Sequence, residues 1–77
     1  MTTVKQAIRE HDVVELLDAI DKVEADGSWP AGTIGTVVDE RGESKLVEIA
    51  DQRGVTLDYV VVAADRLAPV AELVRSA

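Results

Sequence analysis

The segment "SWPAGTIGTVVDERGE", residues 28–43, combines two closely spaced glycines, a run of strand formers and a turn signal. Gly32 and Gly35 stand directly before the β-branched run at 36–38, and a turn signal around Gly42 follows that run. A phosphate-binding loop would need a longer glycine loop, a Lys-Ser/Thr pair and a helix behind it. The residues after Gly35 are strand formers instead. We therefore expect Gly32 to supply a turn conformation and Gly35 to permit a close strand crossing.

From residue 12 to residue 70 the chain consists of short β-forming runs separated by turns. We predict strands over 12–17, 33–40, 45–51 and 56–64, and a last short strand after a 3₁₀ turn that begins at Asp65. The nearly continuous apolar run at 56–64 is typical of a strand covered on both faces or bent between two sheets. The predicted core consists of Val14, Leu16, Val38, Val47, Ile49, Val61 and Leu67.

The connections between these strands differ in kind. Gly42 and Gly54 mark two tight hairpins, in which each glycine can take a positive φ. Residues 18–30, by contrast, are expected to form one long irregular connection that contains Asp-Gly and a proline. Five short strands, one long early loop, two tight hairpins and a 3₁₀ turn match a small SH3-like barrel. The fold class that we expect is therefore mainly β.

Both ends of the chain have helical patterns. Thr3 and Gln6 fit a capping box, and an apolar face recurs at helical spacing. We expect a helical N-terminal extension over 1–10, a five-stranded barrel over 11–70 and a helical tail over 71–77. Because isolated helices this short are marginal in water, they must dock on the barrel, on each other or on a second copy. A homodimer through the helical ends is one such arrangement. The apolar stripes that would dock are Val4, Ala7 and Ile8 at one end and Val70, Leu73 and Val74 at the other.

Residues 11–70 resemble a family of short bacterial proteins that is known only as a domain of unknown function. The segments that carry the resemblance are "HDVVELLDAID", "PAGTIGTVVDE", "KLVEIAD" and "LDYVVVAADRLAPV". The glycine segment is also similar to the KOW motif of ribosomal and transcription proteins. The resemblance implies an SH3-like barrel and implies no activity.

The composition argues against catalysis and against a bound cofactor. The chain has no Cys and one His, so disulfides and Cys-ligated or multi-His metal sites are excluded. The carboxylates between 18 and 26 do not follow the spacing of a calcium-binding loop. His11 lies between two acidic residues, but side chains adjacent along a strand point to opposite faces, and Ser and Cys nucleophile motifs are absent. We expect no enzyme activity, no cofactor and no metal site.

Charge gives the strongest functional signal. The chain carries a net charge of −7, and residues 10–26 alone hold seven acids and one base. Such a field repels nucleic acid and attracts basic protein surfaces. In SH3-like barrels the early loop lies beside the common ligand groove, so Trp29 is interpreted either as an anchor for a partner or as a plug of the barrel end. The predicted partner-binding residues are Asp18, Asp21, Glu24, Asp26 and Trp29.

These features predict a non-catalytic, acidic protein-binding module, in the style of an antitoxin or immunity protein that blocks a basic partner. One alternative is a KOW-like nucleic-acid or ribosome accessory domain, and another is an accessory domain of an enzyme complex. The nucleic-acid alternative would need the bases Arg41, Lys45, Arg53, Arg66 and Arg75, most of which have acidic neighbours in sequence. The chain has no apolar stretch of about 20 residues and no apolar N-terminal segment, so we expect a cytoplasmic protein without membrane contact.

Overall fold

Antiparallel strands dominate the part of the chain that the computed structural model describes, residues 8–70. In chain order these are β1 (Val13–Leu16), β2 (Ile20–Asp21), β3 (Ser28–Trp29), β4 (Ile34–Arg41), β5 (Ser44–Ala50), β6 (Thr56–Ala63) and β7 (Leu67–Pro69). A 3₁₀ helix, Ala64–Arg66, joins β6 to β7. The domain is therefore mainly β, and residues 8–70 contain no α-helix.

Five of the strands form one sheet in the order β6-β5-β4-β1-β7. They coincide with the five predicted strands, and the predicted 3₁₀ turn precedes the last of them. Within residues 8–70, β6 and β7 lie at opposite edges of the sheet and do not pair with each other. The sheet is therefore open, and a closed barrel is not observed.

Glycines shape the sheet as the sequence indicates. Gly42 and Gly54 adopt φ values of 65° and 84° in the two tight hairpins, and Gly32 turns with a φ of 92°. Gly35 allows β4 to cross β5 closely, because a Cβ there would lie 2.5 Å from Val47 Cγ1 and 2.8 Å from a backbone oxygen of β5. The structural roles expected of Gly32 and Gly35 are confirmed.

The core lies on one face of the sheet. Its buried side chains are Ile8, Val14, Leu16, Ile20, Val37, Val47, Ile49, Val60, Val62 and Leu67. The prediction that Val38 and Val61 belong to the core is wrong, because Val38 is only half-buried and Val61 is 57 % exposed. In β4, Gly35 and Val37 share the inner face, and the register shifts at the next residue. In β6, burial alternates residue by residue, so this strand is covered on one face and not on both.

The early connection was predicted to be irregular, but it contains a second, two-stranded sheet. Strands β2 and β3 are antiparallel, and Ile20 pairs with Trp29 while Asp21 pairs with Ser28. The backbone amide of Lys22 donates to the carbonyl of Gly27 at 3.0 Å, and Gly27 takes a φ of 101°. We call residues 20–29 the acidic hairpin. The predicted loop is thus a hairpin whose turn uses the Asp-Gly pair.

The two predicted helical extensions are largely outside the described residues. The tail at 71–77 lies there entirely, as does the stretch 1–7. The rest of the predicted N-terminal extension, residues 8–10, is not helical, and Ile8 packs into the core with 7 % of its surface exposed. Ile8 therefore packs against the β domain, although it lies before residue 11, where the barrel is expected to begin.

Candidate partner-binding site

A buried carboxylate attaches the acidic hairpin to the main sheet. Asp58 lies on β6 and is 1 % exposed. Its Oδ2 accepts hydrogen bonds from the backbone amide of Val23 at 2.8 Å and from Trp29 Nε1 at 2.9 Å. Its Oδ1 accepts from the amides of Glu24 at 3.1 Å and Tyr59 at 3.0 Å. One side chain therefore holds the turn and the second strand of the hairpin at the same time.

The hydrogen bonds also decide the charge of this group. Burial raises the pKa of Asp58. The hydrogen bonds from the Trp29 indole and the three backbone amides lower it by more than burial raises it, so the pKa lies below its usual value. The carboxylate is therefore ionised at neutral pH, and all four bonds are charge-assisted. Such bonds are stronger than those between neutral groups.

Trp29 packs where the acidic hairpin meets the core. Its indole is half-buried and contacts the buried apolar cluster. Lys22 Nζ lies 4.5 Å from the ring centroid, within the range of a cation–π interaction. The packing role of Trp29 is observed, and its role as an anchor for a partner stays a prediction.

The structure brings three of the four predicted acids together on the acidic hairpin. Asp21, Glu24 and Asp26 are exposed there. Asp18 precedes the hairpin and accepts a hydrogen bond from Arg66 Nε at 3.2 Å, and Arg66 Nη2 also donates to a backbone oxygen at residue 19. Asp18 therefore ties the start of the hairpin to the 3₁₀ helix, while the other three carboxylates face solvent.

Two bases of the sheet that a nucleic-acid site would use have carboxylate neighbours in space as well. Arg41 Nε lies 3.4 Å from Asp39 Oδ2, and Lys45 Nζ lies 3.3 Å from Glu40 Oε1. Lys45 is also buried, with 7 % of its surface exposed. A hydrogen bond from the backbone amide at position 10 and another from Lys45 hold the pKa of Glu40 below its usual value. Each of these two bases therefore has a carboxylate close by, which reduces the positive charge that it presents to phosphates.

The described residues offer few side chains for catalysis or for metal binding. His11 is exposed at the surface, with its Nε2 3.4 Å from Glu10 Oε2. Among the described residues, no three His, Cys, Asp or Glu side chains lie together as a metal site would require. In the same part of the chain, no helix has the length and apolarity to cross a membrane.

Asp58 is the residue that sequence reasoning missed. It stands in "TLDYVVVA", where an acid in an apolar strand suggests an outward side chain. A signal was present, since an isolated Asp between Leu57 and Tyr59 interrupts an otherwise apolar run. Its partners in the acidic hairpin, however, lie 29 to 35 residues away along the chain, at Trp29 and Val23. Local pattern does not identify them.

Comparisons of the whole chain with protein-family models, with curated proteins and with solved structures find no match. The functional argument therefore rests on the geometry of the acidic hairpin and its attachment to the sheet.

Proposed function

We propose that this chain is a non-catalytic protein-binding module with an SH3-like fold, which engages a basic partner protein through the acidic hairpin. The strand order, with a 3₁₀ helix before the last strand, supports the SH3-like part of the proposal. In its most concrete form, the module inhibits its partner by covering a cationic surface, as an antitoxin or immunity protein does.

One observation carries the proposal. Three exposed carboxylates, those of Asp21, Glu24 and Asp26, stand on a hairpin whose backbone Asp58 holds in place. A preorganised charged hairpin steers association, and it loses little conformational entropy when it binds. A loop with the same charges and no such attachment would lose more entropy when it binds.

The first test captures partners from a native lysate of the source cells, treated with nuclease, on the immobilised full chain at low and high salt. We expect a basic protein to be retained at low salt and released as the ionic strength rises, because salt screens exposed charges beyond about 8 Å at 0.15 M. Retention of nucleic acid from an untreated lysate, with no basic protein after nuclease, would favour the nucleic-acid alternative and overturn the proposal.

A further inference from the structure

Strand β6 forms one edge of the five-stranded sheet. It pairs with β5 along one side, and within residues 8–70 no other strand of the sheet pairs with it. The acidic hairpin reaches β6 at Asp58, through the amides of Val23 and Glu24. From Tyr59 to Ala63, no strand within residues 8–70 pairs with this edge, although β2 of the acidic hairpin lies close to part of β6.

The outward side chains of this strand are apolar. Leu57, Tyr59 and Val61 are 45 %, 48 % and 57 % exposed, and they alternate with buried residues. Of the eight large exposed apolar side chains among the described residues, four lie between 55 and 61. Edge strands are commonly protected by Lys or Pro, and residues 56–63 contain neither. The one charged residue of the strand, Asp58, points inward.

A groove runs beside this edge. It has a volume of about 550 Å³ and lies between residues 19–23 and residues 59–61. Val23, Tyr59 and Val61 give it apolar walls, and Asp21 stands on the side of the acidic hairpin. Arg66 lies at the groove as well, but Asp18 pairs with it. The groove therefore has a mixed lining, with apolar side chains from β6 and the carboxylate of Asp21 on the side of the acidic hairpin.

We propose that an extended segment of the partner protein, with alternating apolar and basic side chains, adds to the free edge of β6 as a sixth strand. This inference rests on the proposed function and specifies how the basic partner is held. Main-chain hydrogen bonds to an exposed edge give affinity, and alternate side chains give specificity. Here the apolar side chains would contact Tyr59 and Val61, and the basic ones would face the acidic hairpin.

Charge argues against a second copy of this chain as the occupant. Antiparallel pairing of two β6 edges would bring two acidic hairpins toward each other, since Asp21 lies at the same groove as Tyr59 and Val61. Like charges brought together across an interface are unfavourable. A basic segment, by contrast, is attracted by the same carboxylates.

The test uses a synthetic peptide of alternating arginine and valine, with fluorescence anisotropy at low salt on the full chain. A second peptide has the same side chains but carries N-methyl groups at alternate positions, which remove the amide donors of one peptide edge. For the protein, Val61→Lys places a charge beside the edge. Val13→Lys is the matched control, because Val13 is also an exposed valine but lies on β1.

We expect the unmodified peptide to bind the wild type at least about tenfold more tightly than the N-methylated peptide. Val61→Lys should weaken binding by a similar factor, and Val13→Lys should leave it near the wild-type value. Equal binding of the two peptides, no binding of either at about 1 mM, or equal effects of the two substitutions would overturn the inference. A wild-type dimer that Val61→Lys dissociates would do the same, because a second copy would then occupy the edge.

These outcomes are separable from failure of the proposed function. If lysate capture retains a basic protein in a salt-dependent way while both peptides bind equally, the partner binds through the acidic hairpin and not through the β6 edge. If capture fails, the proposed function falls together with this inference.

Discussion

Asp58 is the residue on which the arrangement of the candidate site depends. An acid in a strand ordinarily marks the solvent face, and on that assumption Tyr59 and Val61 would point inward. In the structure the two faces are exchanged, and Asp58, Val60 and Val62 are the buried residues. Because side chains alternate along a strand, the inward position of one polar residue assigns every other residue to its face.

Replacement of Asp58 tests this role directly. Asp58→Asn keeps the shape but removes the charge and turns an amide group toward donors that need an acceptor. We expect a loss of about 2–4 kcal/mol in the free energy of unfolding, measured by urea denaturation at pH 7. Asp65→Asn, at an exposed acid, is the control and should change stability by less than about 0.5 kcal/mol. Equal stability of the two variants would contradict the structural role.

The pH dependence follows from the lowered pKa of Asp58. A carboxyl whose pKa is lower in the folded than in the unfolded chain stabilises the fold above the unfolded value, about 3.9. That stabilisation is lost as the pH falls through the lower, folded pKa. The stability gap between wild type and Asp58→Asn should therefore be full at pH 6 and shrink below about pH 4. A gap that stays constant down to pH 2 would show that the ionised form is not what matters.

At the scale of elements, the five sheet strands, the two glycine hairpins and the 3₁₀ helix were predictable because each depends on local pattern. Alternation of side chains and glycines at positive φ are visible within a few residues. The acidic hairpin was not predictable in this way, since its strands have two residues each and Asp58 holds it from a distant strand. For the same reason, the sequence placed the acidic residues in the early connection but did not identify Asp58, which positions the hairpin that carries them.

Gly35 lies where β4 and β5 cross closely, and a larger residue there is expected to disturb the sheet. A methyl group at this position would meet Val47 Cγ1 and a backbone oxygen of β5, and backbone cannot move aside as a flexible side chain can. Gly35→Ala should therefore force β4 and β5 apart and cost about 2–3 kcal/mol or more. Chemical denaturation followed by circular dichroism measures this loss, with Thr36→Ala as the neighbouring control. If Gly35→Ala is no less stable than Thr36→Ala, the close crossing of β4 and β5 is wrong.

The whole molecule carries far more acid than base, and two of its bases are paired with carboxylates on the sheet. Filter binding of the wild type to mixed RNA at low salt should therefore show no affinity tighter than about 1 µM, because a chain with a net charge of −7 repels phosphates. Tighter binding would support the KOW-like alternative. Loss of that binding on removal of Arg41 and Arg53 would then identify the surface involved.

Capture of the proposed basic partner by two variants of equal net charge shows whether the acidic hairpin is the binding site. One variant neutralises the acidic hairpin by Asp21→Asn, Glu24→Gln and Asp26→Asn. The other removes three acids elsewhere, by Glu10→Gln, Glu43→Gln and Asp65→Asn. If the acidic hairpin binds the partner, the first variant should retain at least about tenfold less of the captured basic protein at low salt, while the second retains it as the wild type does. Equal retention by the two variants would show that the hairpin is not the binding site.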